Sequence, residues 1–376
     1  MTRPIRVAVV FGGRSTEHAI SCISAGSVLR ALDHDRYDVV PVGITTEGRW
    51  VLAPDDPARL AIVDGTLPEV AALVEAPGAL VLAGDPTNSA LRVQQAGDVP
   101  TELGVVDVVF PLLHGPFGED GTLQGLLELA GVPYVGSGVL ASAAGMDKAV
   151  AKTLLAAAGL PQAPYVVVSD RDWRRDPAAA LAGVREALEL PVFVKPARAG
   201  SSVGITKVKA WEDLAAAVLV ARDNDPKVVV EQGVVGREIE CGVLMAEDGS
   251  RPEASVCAEI VVHGGHEWYD FEAKYLSGSD DDATELDVPA DLPPELSARV
   301  REAACVAFDA LGCEDLARVD FFVTTAGEVL VNEVNTMPGF TPISMFPRMW
   351  AETGIDYPAL VDRLVRSALR KGTGLR

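Results

Sequence analysis

Two stretches of alternating sequence, LARVDFF (Leu316 to Phe322) and VLVNEVN (Val329 to Asn335), are separated only by Val323 and a TTAGE turn. Alternation marks strands with one buried face, and so short a link commits the pair to an antiparallel hairpin. A two-residue loop at Ala326 and Gly327 would set Asp320 opposite Glu333 and Arg318 opposite Asn335. The pleat then gathers those four on one face and puts Val319, Phe321, Asn332 and Val334 on the other. Two carboxylates and an amide oxygen beside a cation suit Mg²⁺ carrying phosphate oxygens. The same pattern also fits a hairpin face turned to solvent.

A second stretch bears on that choice. VFVKP ends a buried strand at Lys195, and the Gly/Ser loop GSSVG (Gly200 to Gly204) follows, with residues small enough for a backbone to close over phosphates. A Gly/Ser turn after a strand is also an ordinary hairpin, and the P-loop pattern GxxxxGK[ST] is absent from the sequence. GSGVLA (Gly136 to Ala141) matches a loose dinucleotide fingerprint but lacks the acidic residue expected about twenty positions on. His263 and His266 have ligand-like spacing without a supporting cysteine or HExxH, and read as loop histidines.

The chain opens as strand, turn and helix: Ile5 to Phe11, the Gly12–Gly13 pair, then Glu17 to Leu32. Apolar runs at Val39 to Ile44 and Val105 to Leu113, and a helix at Thr122 to Ala130, continue an alternating α/β pattern to about Val135. Between them, residues 54–100 are broken by Pro and Gly, and residues 51–100 carry no assigned role. Beyond Gly136 the pattern becomes α+β. It has a helix from Asp147 to Ala158, strands at Tyr165 to Val168, Val192 to Lys195, Ile205 to Val208, Val228 to Glu231 and Ile239 to Met245, and a helix at Pro294 to Leu311. The hairpin follows, and a helix at Tyr357 to Leu369 closes the chain. The polar stretch 262–286, with its DDD run, reads as a long mobile loop.

With 376 residues, 48% hydrophobic and 23% charged, the chain suits two or three domains and is far from the composition of disorder. A net charge of −22 without a basic run argues against nucleic acid as a partner. It does not forbid an anionic ligand, because converging lysines act at short range while distant charge is screened over about 10 Å. Five cysteines without a CxxC pair argue against a disulfide framework and for a reducing compartment. The apolar start is too short for a signal peptide. The longest uncharged stretch, Leu129 to Met146, holds Pro133 and four glycines, so no membrane span is expected.

These stretches together resemble the D-alanine–D-alanine ligase family of the ATP-grasp superfamily along nearly the whole chain. The likeness is carried by FGGRSTEHAIS (Phe11 to Ser21), LLHGPFGEDGTLQGLLE (Leu112 to Glu128), GSGVLASAAGMDK (Gly136 to Lys148), VFVKPARAGSSVG (Val192 to Gly204), YDFEAKY (Tyr269 to Tyr275), LARVDFF and NEVNTMPGFTPIS (Asn332 to Ser344). The resemblance implies an N-terminal α/β domain (1–135) followed by a two-domain ATP-grasp fold (136–233 and 234–376) with ATP between the last two. It implies ligation of two D-alanines through an acyl phosphate for peptidoglycan, in a cytoplasmic homodimer.

By the same resemblance Lys148 and Lys195 look like phosphate-binding lysines, and Ser202 belongs to the nucleotide site. Glu231 and Glu238 resemble the adenine- and ribose-side carboxylates and Val234 the hinge backbone. Asp320, Glu333 and Asn335 look like ligands of two Mg²⁺ (or Mn²⁺) ions. Arg318 and the Gly339 N–H would stabilise the oxyanion, Glu17 would pair with the first D-alanine's ammonium, and His114 would line that pocket. Lys274, Tyr275 and their loop resemble the closing loop, with Ser201 reaching Tyr275, while Ser344 and Lys274 would hold the second carboxylate. From the residues alone, Lys148 is equally a helix-surface lysine and Glu17 a first-turn acid favoured by the helix dipole.

The chain departs from some relatives at Ala199, where they carry Glu in a group with the Ser and Tyr. A Ser–Tyr pair without its carboxylate is therefore expected. The rival readings are a D-alanine–D-lactate ligase, another ATP-grasp amide ligase, or a silent ATP-binding regulator. An intact Arg318 speaks against the last, and Tyr275 in YDFEAKY favours D-alanine over D-lactate.

Overall fold

The structure is a computed structural model that describes residues 3–73, 78–82, 84–88, 90–94, 101–262 and 284–374. Its first sheet has the order β3-β2-β1-β7, from β1 (Ile5–Gly12), β2 (Tyr37–Ile44), β3 (Trp50–Leu52) and β7 (Val108–Pro111). β2 and β7 run parallel to β1, while β3 is antiparallel to β2. β1 is central, so Val7 to Phe11 are buried on both faces and the strand reads as a continuous apolar run. It exits through Gly12, whose φ of 87° favours glycine and whose added Cβ would lie 2.3 Å from the Ile44 carbonyl oxygen.

That tight exit feeds α1 (His18–Ala31). The buried Ser21 hydroxyl accepts from the Gly12 N–H (2.7 Å) and donates to the Leu112 carbonyl (2.7 Å), tying the ends of β1 and β7 to α1. The loops that leave β1 and β7 therefore lie side by side at the carboxyl edge of the sheet, where open α/β sheets bind ligands. The Pro/Gly-broken region carries more structure than its sequence suggests: β4 (Ala79–Leu82), β5 (Ala90–Gln94) and β6 (Thr101–Val105) form a small antiparallel sheet. The Val105–Leu113 run consequently splits between β6 and β7.

After α2 (Thr122–Ala130), α3 (Val139–Met146) and α4 (Lys148–Ala157) come β8 (Tyr165–Val168), α5 (Asp170–Arg175), α6 (Pro177–Ala187), β9 (Val192–Pro196), β10 (Thr206–Val208), α7 (Leu214–Arg222) and β11 (Val228–Gln232). The four strands form an antiparallel sheet, β10-β9-β11-β8. Val192 and Val194 of β9 enter the core with Val184 and Leu214, which turns Lys195 to the opposite face.

The last sheet, β14-β13-β12-β15-β16, joins β12 (Gly236–Met245), β13 (Pro252–Val262), β14 (Thr284–Asp287), β15 (Leu316–Thr324) and β16 (Val329–Asn335). α8 (Pro294–Leu311) packs on it through Val300, Ala304 and Phe308, and α9 (Met345–Thr353) follows β16. Thr284 to Leu286, expected in a loop, pair with β13. The rest of that loop, with His263, His266, Lys274 and Tyr275, lies outside the described residues. α10 (Tyr357–Lys371) returns to the first sheet, so Leu360 and Leu364 share one core with Val7, Phe11, Leu316 and Trp350. Among the described residues, no helix is long and apolar enough to cross a membrane.

Candidate active site

The β15–β16 hairpin pairs Arg318 with Asn335 and Asp320 with Glu333, as expected, but by another route. Its loop holds three residues, not two: the Thr324 N–H donates to the Glu328 carbonyl (3.0 Å) and Gly327 has a φ of 79°. That loop pairs Val323 with Val329 and Phe321 with Val331, one residue off the expected register. A bulge beyond Asp320 absorbs the extra residue and restores the pairing next to the site. Asn332 accordingly leaves the core face where it was expected, and Val331 takes its place with Val319, Phe321 and Val334.

Around this face the charges interlock. Arg318 donates from Nε and Nη2 to the two Asp320 oxygens (both 2.7 Å), and its Nε lies 3.2 Å from Glu240 Oε1. Burial would lower the Arg318 pKa, but Asp320 and Glu240 hold it well above its usual value. Asn335 Nδ2 donates to Asp320 Oδ2 (3.0 Å), which leaves its amide oxygen for another partner. Asp320, Glu333 and Asn335 thus offer hard oxygen donors from neighbouring strands, and this donor set fits a divalent cation.

The lysines converge on the same face from other elements. Lys148 opens α4, capped by Asp147, whose carboxylate accepts from the Ala149 and Val150 N–H groups. Its Nζ donates to the Ala199 carbonyl (2.8 Å) and stands 3.8 Å from Glu333 Oε2. Lys148 is therefore turned towards Glu333 of the hairpin and is not a free helix-surface lysine. Lys195 donates to Glu231 Oε2 (2.7 Å), while Lys152, one helical turn past Lys148, donates to Glu231 Oε1 (2.5 Å). Burial would raise the Glu231 pKa, yet Lys195 and Lys152 keep it below the usual carboxylate value. Burial pulls Lys152 down despite Glu231, whereas for Lys195 the attraction of Glu231 outweighs burial and its pKa rises.

Both oxygens of Glu231 are thus held by lysines, and its backbone lies in β11 between β8 and β9. Glu238 sits on β12, close enough for its charge to raise the Lys195 pKa, and half-buried Val234 lies in the turn between β11 and β12.

Glu17 is buried at the start of α1 without capping it, in a slot between two glycines. A Cβ added at Gly115 or Gly200 would lie 2.9 Å from its Oε2. The Ser201 hydroxyl donates to Glu17 Oε1. Where Ala199 supplies no carboxylate, the serine finds one at the start of α1, while Tyr275 lies outside the described residues. Ser201 and Ser202 have φ of 47° and 60°, a left-handed pair that costs about 1–2 kcal/mol per residue and is tolerated here at the mouth of the cleft.

His114 is buried beside Glu17, and burial lowers its pKa. Its Nδ1 bonds the Met337 carbonyl (3.1 Å); a carbonyl only accepts, so that nitrogen carries the proton. Gly339 and Ser344 are neighbours, since a Cβ at Gly339 would lie 3.3 Å from Ser344 Oγ. Ser344 Oγ accepts from the Thr341 N–H (3.1 Å) and contacts Thr341 Oγ1 (2.7 Å).

The structure therefore brings together Glu17, His114, Lys148, Lys195, Ser201, Glu231, Arg318, Asp320, Glu333 and Asn335. Lys274 and Tyr275 lie outside the described residues. Sequence reasoning missed Lys152, Glu240 and Glu119. Lys152 carried a signal in its one-turn spacing from Lys148, and Glu240 in its alternation with Glu238, but neither identified the partner.

Comparison with known proteins agrees with this geometry. Family models described as the N-terminus and C-terminus of D-ala D-ala ligase match residues 6–137 and 154–366. A D-alanine--D-alanine ligase of Kineococcus radiotolerans is 61% identical over 99% of this chain and 98% of its own length. One of Streptomyces griseus is 57% identical over 100% and 95%. Among solved structures, a D-Ala:D-Ser ligase from Enterococcus faecalis superposes with a TM-score of 0.82 at 33% identity, covering 97% of this chain and 100% of that one. A D-alanine-D-alanine ligase from Coxiella burnetii gives 0.80 at 34%, covering 98% and 95%.

Proposed function

We propose, because the chain belongs to the D-alanine–D-alanine ligase family and has its ATP-grasp fold, a division of labour among its residues for that family's reaction. The enzyme joins two D-alanine molecules at the expense of ATP, making D-alanyl-D-alanine for peptidoglycan. A carboxylate is a poor electrophile, so phosphorylation of the first D-alanine to an acyl phosphate must precede attack by the amine of the second. Attack gives a tetrahedral intermediate, phosphate leaves, and the amide remains. Catalysis is then positioning and charge neutralisation.

Glu17, buried and held by Ser201, pairs with the ammonium of the first D-alanine in a pocket lined by His114. Arg318 and the Gly339 N–H receive the oxyanion. Lys148 and Lys195 hold ATP phosphates beside Ser202, with Val234, Glu231 and Glu238 along the nucleoside. Ser344, together with Lys274, receives the carboxylate of the second D-alanine, and Tyr275 closes over the site with Ser201 nearby. The family uses ATP with a divalent cation. We assign Asp320, Glu333 and Asn335 to two Mg²⁺ or Mn²⁺ ions, whose chemistry is to neutralise phosphate charge during transfer.

The reading divides the chain into domains at 1–135, 136–233 and 234–376 and assigns the nucleotide to the space between the last two. A cytoplasmic homodimer completes this reading; the free cysteines of the chain suit a reducing compartment, and light scattering checks the dimer. The observation that carries the site assignment is the Arg318, Asp320, Glu333 and Asn335 face, created by a bulge and approached by Lys148. Phosphate release dependent on D-alanine, with D-alanyl-D-alanine identified as product when D-lactate competes at pH 7 to 9, tests the reading. Mainly D-alanyl-D-lactate would move the acceptor specificity, and no D-alanine-dependent phosphate would remove the ligase.

A further inference from the structure

Met337 stands two residues after Asn335 and two before Gly339, and both of its backbone polar groups are held by the loop between β7 and α2. Its N–H donates to Glu119 Oε1 (3.1 Å), and its carbonyl accepts from His114 Nδ1 (3.1 Å). The other Glu119 oxygen accepts from the Gly115 N–H (2.7 Å), and the Glu119 N–H donates to the Gly115 carbonyl (2.9 Å). One carboxylate thus closes the 115–119 turn and reaches across to the last domain. The Met337 side chain is buried in the core that joins the first and last sheets.

We propose that Glu119 is a positioning residue for the ligation: by holding the Met337 peptide it sets where the Gly339 N–H and the Asn335 amide point. The inference rests on the roles given to those two residues above. An oxyanion donor is effective only within about 2.7–3.1 Å of the developing charge. Gly339 has no side chain to anchor it and Pro338 no N–H, so Met337 is the nearest point before Gly339 at which another domain grips this segment. The grip also couples events: the loop that bears His114, beside the first D-alanine, is the loop that aims the oxyanion donor in another domain.

The test is steady-state kinetics of the full-length enzyme with Glu119→Ala, Glu119→Asp and Glu119→Gln, alongside thermal melting. Expected is a kcat lowered about 10²-fold in Glu119→Ala, the cost of a 1 Å misplacement, with KM for ATP within about twofold of the unmodified enzyme, by the same reasoning. Glu119→Asp, too short to span both N–H groups, should behave similarly if the alanine variant fails to fold. Glu119→Gln, whose amide oxygen still accepts from Met337 while its NH2 faces the Gly115 N–H, keeps the bond to Met337 alone and should recover part of the loss. An unchanged kcat in the folded alanine or aspartate variant overturns the inference, as does a loss confined to KM for ATP or one that Gln does not rescue. If the unmodified enzyme makes no D-alanyl-D-alanine, the ligase reading fails instead.

Discussion

The side of the site that the proposed reading gives to the nucleotide and the side it gives to the amino acids each enclose a carboxyl group, and the two groups respond in opposite directions. Glu231 is buried between Lys152 and Lys195, and its pKa lies below the usual carboxylate value. Glu119 accepts from two backbone N–H groups, but burial, followed by the charge of Glu17, pushes it up to about 8. Burial opposes ionisation in both. The difference is the company each keeps, since two lysines reach Glu231 from separate elements, whereas Glu119 is near Glu17 and Glu333. On the proposed reading, the cation-rich side would receive phosphates and the carboxyl-rich side an ammonium.

Removing the carboxylates assigned above to the divalent cations should produce the largest effect. Asp320→Ala or Glu333→Ala is expected to lower turnover by about 10³-fold or more, as for loss of several kcal/mol of charge stabilisation, with an unchanged circular dichroism spectrum. Near-normal product formation in either folded variant would take that face out of the chemistry. Arg318→Ala should lower kcat by about 10²-fold with a smaller change in ATP affinity. An equal loss of ATP affinity would shift Arg318 to the nucleotide side of the comparison.

Lys152→Met should destabilise the protein by about 2 kcal/mol in urea unfolding, since it takes a charged hydrogen bond from a buried carboxylate. It should raise KM for ATP more than it lowers kcat. Unchanged values would show that Lys195 alone suffices for Glu231. The remaining difference lies in the pH dependence of stability of the ligand-free protein, which turnover does not read. Glu119 is raised from 4.5 to about 8, so between these values the folded state keeps a proton that the unfolded chain has lost. Its contribution is fully present below about 4.5 and fades as pH rises towards 8. Glu231, shifted the other way, contributes above its ordinary value and loses that contribution as pH falls. Thermal melts from pH 5 to 8 should therefore decline less steeply in Glu119→Gln, and an unaltered slope would place the proton elsewhere.

Sequence by itself determined the strands and helices whose pattern is local: β1 and its glycine exit, α8, α10 and both arms of the β15–β16 hairpin. It also led to the expectation that Arg318, Asp320, Glu333 and Asn335 meet, although from a loop one residue shorter than the one present. Tertiary structure decided how they meet, through a three-residue loop compensated by a bulge at Asn332 that no alternation pattern reveals. It decided that Ser201 finds a carboxylate in Glu17, 184 residues away, where Ala199 offers none. It turned Lys152 from one more lysine of α4 into the second cation of Glu231, and Glu119 from a loop acid into a strut on Met337. The physical reason is the same each time. Backbone periodicity is written in neighbouring residues, whereas the charge state of a buried group depends on whatever distant elements bring within about 3 Å of it.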